Sequence, residues 1–138
     1  MIAFLDSSAL IYYFEGNESY RQAVTDVLQA VKTQAPQAQV VVSRLSVMEC
    51  RVKPLREASI ALLARYDAFF KQVQIVELSA AVVDAATSLR ATTGLKTPDA
   101  LQAACALSLA APFSFVTGDA GFARVRGLNL LQIHLRPR

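Results

Sequence analysis

Histidine and cysteine are almost missing from this chain: His134 is the one imidazole, close to the C-terminus, and Cys50 and Cys105 are the only thiols. A zinc set, a serine–histidine–aspartate triad or a CxxC redox pair therefore lacks the residues to form from. The cysteines lie far apart among apolar or small neighbours and read as small core residues. Neither a GxxxxGK[ST] nor a GxGxxG loop occurs, so the nucleotide-cradling motifs are absent. Asp6-Ser7-Ser8 lacks the second acid of a DxD phosphotransfer motif, which counts against an aspartyl-phosphate enzyme. No basic leader precedes the apolar run Ile2 to Leu5, and Asp6 arrives where a signal peptide would still be apolar, so a cytoplasmic location is expected. The charge-free stretch from Ala100 to Val116 contains Gln102, Ser108, Pro112 and Ser114 and reads as a helix followed by a strand, with no membrane span.

What the chain does have is apolar bulk. Of its 138 residues 54% are hydrophobic and 18% are charged, enough for one domain, 1–138, with a real core. The surplus apolar surface is expected to go into a subunit or partner interface. The formal net charge is +3 and the pI is near 9.1. If a bound cation offsets some of the eleven acids, the remaining surface is distinctly basic, as a phosphate-backbone ligand requires.

Short apolar runs alternate with helical periodicity. Ile2-Ala3-Phe4-Leu5 reads as a strand that stops at the capping cluster Asp6-Ser7-Ser8, with a helix over Ala9 to Phe14. A second helix is expected from about Tyr20 to Thr33, then a buried strand Gln39 to Ser43 and a short helix opened by Ser46 and limited by Pro54. Arg56 to Gln72 reads as one helix, Gln74 to Glu77 as a strand, and about Ala80 to Thr92 as a helix broken at Gly94. Thr97-Pro98-Asp99 starts a helix to about Leu109, followed by a strand Phe113 to Val116, a short helix from Asp119 and a strand near Leu128 to Leu131. Uniformly apolar strands alternating with helices predict a three-layer α/β/α domain around a parallel sheet of about four to five strands. No repeat, low-complexity segment or linker marks a boundary.

Ligands of such sheets bind beyond the carboxyl ends of the strands, which draws attention to the acids placed there. Asp6 follows the first strand directly, and Asp119 follows Phe113 to Val116 after Thr117-Gly118. Glu49 and Asp99 lie near helix starts, so all four can meet at one end of the sheet. Each has an ordinary structural explanation: Glu49 as the partner of Ser46 in a capping box, Asp99 as a helix-dipole acid, Asp119 as an N-cap and Asp6 as a turn residue. Those explanations require four coincidences among eleven acids, whereas a cation-binding cluster needs one cause. Carboxylates without imidazole or thiolate companions suit a hard cation, Mg²⁺ or Mn²⁺. Ser8 and Thr117 are candidate hydroxyls to orient them, and each can equally satisfy local backbone.

The same segments resemble the PIN-domain family, and within it the VapC-type toxins of toxin–antitoxin pairs. Phe4-Leu5-Asp6-Ser7-Ser8 is similar to the opening hydrophobic-Asp-Ser/Thr motif, and Ser46-Val47-Met48-Glu49 to the segment with the acidic glutamate. Leu95-Lys96-Thr97-Pro98-Asp99-Ala100-Leu101-Gln102-Ala103-Ala104 is close to the third motif, and Thr117-Gly118-Asp119-Ala120-Gly121-Phe122 fits Thr-x-Asp-x-x-Phe. The resemblance covers essentially the whole chain, with the motifs in the expected order. It implies that Asp6, Glu49, Asp99 and Asp119 form a catalytic and metal-binding quartet, dependent on Mg²⁺ or Mn²⁺, that cleaves RNA endonucleolytically. It also implies a homodimer and a small antitoxin that inserts a segment near the active site. Many relatives carry a further acid or polar residue near the last motif, whereas Gly118, Ala120 and Gly121 offer no side-chain ligand here.

Phosphodiester hydrolysis needs an activated water and a stabilised leaving oxygen beside an anionic phosphate, both of which metal ions supply. Candidates to hold the substrate phosphates are Arg44, Arg51, Lys53 and Lys96, each within a few residues of an acidic motif. Two other readings stay open on the sequence: a PIN-type nuclease of RNA maturation or decay without an antitoxin, and a non-catalytic module whose acids are helix caps and whose basic surface binds RNA or protein.

Overall fold

The computed structural model describes residues 1–135; the terminal Arg136-Pro137-Arg138 lie outside the described residues. Five strands, β1 (Ile2–Leu5), β2 (Gln39–Ser43), β3 (Gln74–Val76), β4 (Phe113–Thr117) and β5 (Leu130–Gln132), pair in the order β3-β2-β1-β4-β5, every pair parallel. Helices α1 (Ser7–Glu15), α2 (Glu18–Gln34), α3 (Arg44–Arg56) and α4 (Ile60–Phe70) precede or flank β3, and α5 (Ala80–Thr93) and α6 (Thr97–Leu107) follow it. A short 3₁₀ helix, Ala120–Arg124, joins β4 to β5.

Alternation along each strand divides its side chains between two cores. Ala3, Leu5, Val42 and Val116 pack against Leu10, Val24, Cys50, Tyr66 and Phe70 from α1 to α4. Phe4, Val41 and Phe115 point the other way, onto Val82, Ala86, Ala100, Ala103 and Ala104 of α5 and α6. With both faces covered, the central strands are apolar throughout, and the three layers follow. Both cysteines are buried and free, and burial pushes the Cys50 thiol up to about 12 and the Cys105 thiol up to about 11. Among the described residues no helix is long and apolar enough to cross a membrane.

Four local expectations change. Helix α3 starts earlier than Ser46, because Ser43 is its cap and accepts the Ser46 amide at 3.2 Å. Pro54 sits inside its last turn, fully buried, and the helix runs only two residues past it, to Arg56. The next helix begins only at Ile60, after a break where Ala58 adopts φ 53°, so Arg56 belongs to α3. The element after Asp119 is 3₁₀ and not α-helical.

Candidate active site

Chain order runs outward from β1 through β2 to β3, then returns to the other side for β4 and β5. The carboxyl ends of β1 and β4 thus lie side by side where connections leave in opposite directions, the position at which open parallel sheets form a ligand crevice. Leu5 is in register with Val116, so Asp6 and Thr117 are the next residues out of adjacent strands.

Asp6 is 4% exposed and caps α1. Its Oδ1 accepts the Ala9 amide at 3.0 Å and the Ser8 hydroxyl at 2.7 Å, and its Oδ2 accepts the Thr117 hydroxyl at 2.5 Å. Burial dominates nonetheless and raises its pKa from 3.8 to about 6, with the Asp99 charge adding in the same direction and the three hydrogen bonds opposing. The two hydroxyls are themselves fixed: Ser8 Oγ accepts the Gly118 amide at 2.9 Å, and Thr117 Oγ1 accepts the Asp119 amide at 3.0 Å. Gly118 is required by close approach, since a Cβ there would fall 2.6 Å from the Tyr12 ring. Ser8 and Thr117 thus both donate to Asp6 while accepting local backbone amides.

Asp99 lies half-buried in the first turn of α6. Its carboxyl is raised first by burial, then by the charges of Asp119 and Glu49, while Lys96 and Arg124 pull it down. Asp119 is exposed and caps the 3₁₀ helix, its Oδ1 accepting the Gly121 amide at 2.8 Å. Glu49 is not the capping-box partner of Ser46; its Oε1 accepts the Ser7 hydroxyl at 2.7 Å, across from α3 to α1. The fold thus brings Asp6, Glu49 and Asp119, each from a different part of the chain, into electrostatic range of Asp99.

No three acidic, histidine or cysteine side chains among the described residues surround a common point closely enough to form a finished cation cage. The chemistry of the donors nevertheless fits a hard divalent cation. The cluster offers carboxylate oxygens only, and none of the four joins the ion pairs Arg44–Glu77, Arg51–Asp67 and Lys53–Glu15. A carboxyl as buried as Asp6, with no cationic partner among the described residues, is the kind of charge that a metal ion compensates.

Those ion pairs bear on the expected phosphate ligands. Arg44 binds Glu77 through two bonds of 2.6 and 2.7 Å, Arg51 binds Asp67 at 2.9 Å, and Lys53 meets Glu15 at 3.2 Å. The structure thus engages three of the four elsewhere and leaves Lys96 beside Asp99. Arg124, which the sequence reading passed over, also faces Asp99; its guanidinium donates to the Thr93 carbonyl at 3.1 Å. Its signal was available in its place five residues beyond Asp119. Ser7, Ser43, Ser46 and Gln102 were missed as well, although Ser43, Ser46 and Glu49 recur every three residues and Gln102 interrupts the alanine-rich face of α6.

Comparison with solved structures returns the same architecture. VapBC2 from Rickettsia felis, bound to a DNA fragment from its promoter, is similar with a TM-score of 0.74 at 19% identity, over 96% of this chain and 98% of that one. A toxin–antitoxin complex from Klebsiella pneumoniae gives a TM-score of 0.71 at 22% identity, also over 96% and 98%. VapBC-1 from nontypeable Haemophilus influenzae gives 0.72 at 18% identity over the same shares. No curated protein matches the chain by sequence. The PIN domain family model matches residues 3–128, a span that holds all four acids, and the chain belongs to the PIN domain family.

Proposed function

We propose that this chain is a Mg²⁺- or Mn²⁺-dependent endoribonuclease and the toxin of a toxin–antitoxin pair. The observation that supports the reading is that Asp99 feels the charges of Asp119 and Glu49 and acts on buried Asp6 near the switch point of the sheet, with none of the four in an ion pair among the described residues. Asp6, Asp99 and Asp119 would hold the cation, with Glu49 completing its outer coordination or orienting the attacking water. A cation bound there supplies water activation and charge compensation for the departing oxygen. Ser8 and Thr117 fix the Asp6 carboxylate through their hydroxyls. Lys96 and Arg124 take the flanking RNA phosphates, being the cations that face Asp99. Arg44, Arg51 and Lys53 reach phosphate only by leaving their acids.

The toxin assignment and the partners are supported by the fold shared with three toxin–antitoxin complexes. An apolar cavity of about 310 Å³ between α1, α2 and the sheet, lined by Leu10, Tyr13, Phe14, Leu28 and Phe69, suits an inserted antitoxin segment. Met48, Val52 and Leu55 leave an exposed apolar stripe along α3, which suits the homodimer interface.

The test is incubation of the purified chain and its Asp99→Asn variant with total cellular RNA, in Mg²⁺, Mn²⁺ or EDTA, and mapping of new ends. Discrete cuts that need metal and vanish in the variant are expected; a folded, inhibitor-free chain that makes no cut in any condition overturns the reading. A matched DNA substrate checks the choice of RNA, and growth arrest on expression, relieved by a neighbouring gene product, separates a toxin from a processing enzyme.

A further inference from the structure

The buried amide of Gln102 lies at the centre of a hydrogen-bonded chain that ends on Glu49, and the direction of that chain is fixed. Glu49 Oε1 can only accept, so Ser7 spends its one proton there and must accept at its contact with the Gln102 amide, which makes that atom Nε2; Oε1 then faces Ser43 Oγ, which donates to it at 2.8 Å. With Oε1 assigned as the acceptor, Nε2 donates its two protons, to Ser46 Oγ at 2.9 Å and Ser7 Oγ at 3.1 Å. Ser7 donates to Glu49 Oε1 at 2.7 Å, and the 2.9 Å contact between Ser46 and Ser7 is then filled by the Ser46 proton. Every donor points towards Glu49. The direct contact from Nε2 to Glu49 is 3.5 Å, at the limit of a hydrogen bond, so Ser7 is the link that matters.

We infer that Gln102 is a positioning residue for Glu49: through Ser7 it holds that carboxylate, as an acceptor, in one orientation towards the cation site. The inference rests on the reading of the acid cluster as a metal site. Packing alone does not call for an amide here. Gln102 is 3% exposed on an α6 face otherwise made of Ala100, Ala103, Ala104 and Ala106, where an apolar side chain of similar volume fills the space. What only the amide provides is opposite polarity at its two ends, taking a proton from β2 and giving two towards α1 and α3. Three elements besides α6 are thereby locked to one proton order, which lets a carboxylate on α3 keep a defined angle to carboxylates carried by other elements.

Gln102→Met keeps the volume and removes the polarity; Gln102→Glu keeps the shape and reverses the donating end, setting a second carboxylate against Ser7. The experiment is a double-mutant cycle with Glu49→Gln, read both as Mn²⁺ affinity by electron paramagnetic resonance and as kcat for RNA cleavage, with thermal melting to confirm folding. Gln102→Met is expected to weaken Mn²⁺ binding by roughly tenfold, in the range known for groups that orient metal ligands. It should lower kcat with little change in KM and lose both effects in the Glu49→Gln background, and Gln102→Glu should be worse than Gln102→Met. Ser7→Ala should match Gln102→Met. A folded Gln102→Met protein with unchanged Mn²⁺ affinity, or with the same loss in both backgrounds, overturns the inference. A chain that binds Mn²⁺ and shows the coupling yet cuts no RNA supports the positioning role and overturns the nuclease reading; a chain that binds no Mn²⁺ overturns both.

Discussion

Asp6 and Asp119 extend from adjacent strands and share Thr117, yet the protein treats them in opposite ways. Asp6 is enclosed and accepts three hydrogen bonds; Asp119 stands in solvent and accepts one from its own turn. Glu49 belongs with Asp6, since it accepts the Ser7 hydroxyl, which the buried Gln102 amide holds in turn, whereas Asp99 belongs with Asp119, beside Lys96 and Arg124. One half of the cluster is organised by the protein before any ligand arrives. The other half has its charge set by the exposed side chains of Lys96 and Arg124, where a polyanionic substrate can enter. The difference teaches that preorganisation here is local: it is concentrated where α1 and α3 leave the sheet.

The largest expected effect breaks the organised half at its centre. Asp6→Asn should abolish metal-dependent cleavage and at the same time stabilise the metal-free protein near pH 7, by roughly 1 to 3 kcal/mol, because each pKa unit corresponds to about 1.4 kcal/mol. The sign follows from the raised pKa of about 6. A carboxyl whose folded pKa exceeds its ordinary 3.8 contributes stability that is complete below about pH 4 and lost as the pH rises through 6. The melting temperature of the metal-free wild type should therefore fall across that window, and the fall should shrink in Asp6→Asn; calorimetry from pH 4 to 7.5 checks both.

Next in size, Thr117→Val and Ser8→Ala should each reduce cleavage about ten- to a hundredfold by loosening Asp6, measured as kcat at saturating RNA. Equivalent loss from Gly121→Ala would blur the contrast between the halves, since that residue touches only the open side, where a Cβ would lie 3.1 Å from Asp119 Oδ1.

How far these features were legible in the sequence differs between the halves. Asp6, Asp99 and Asp119 are fixed by strand ends and a helix start, which local pattern reveals, and Ser8 and Thr117 sit within two residues of the acids they serve in sequence or pair with across β1 and β4. The surroundings of Glu49 were hidden, because Ser7, Ser43 and Gln102 come from α1, the end of β2 and α6 and meet only when the sheet forms. Element order and the parallel sheet were legible from apolar runs, and Pro54 located the end of α3 to within two residues. Nearness in sequence to an acidic motif likewise says nothing of Glu77, Asp67 or Glu15, the acids that pair with Arg44, Arg51 and Lys53 in the fold.

The smallest effect sharpens the open half. Arg124→Ala and Lys96→Ala should each lower the slope of log RNA affinity against log salt by about one, while Arg44→Ala leaves it nearly unchanged. Equal slopes for all three would show that ion pairing on this surface does not select the phosphate contacts.

If the four acids are a cation site, the melting temperature of the inhibitor-free chain at pH 7.5 must differ between EDTA and Mn²⁺. A rise on adding Mn²⁺ in the wild type, absent in Asp6→Asn and Asp99→Asn, is the predicted result, since a ligand that binds only the folded state stabilises it. A melting temperature indifferent to Mn²⁺, or a rise of equal size in all three proteins, would contradict the account.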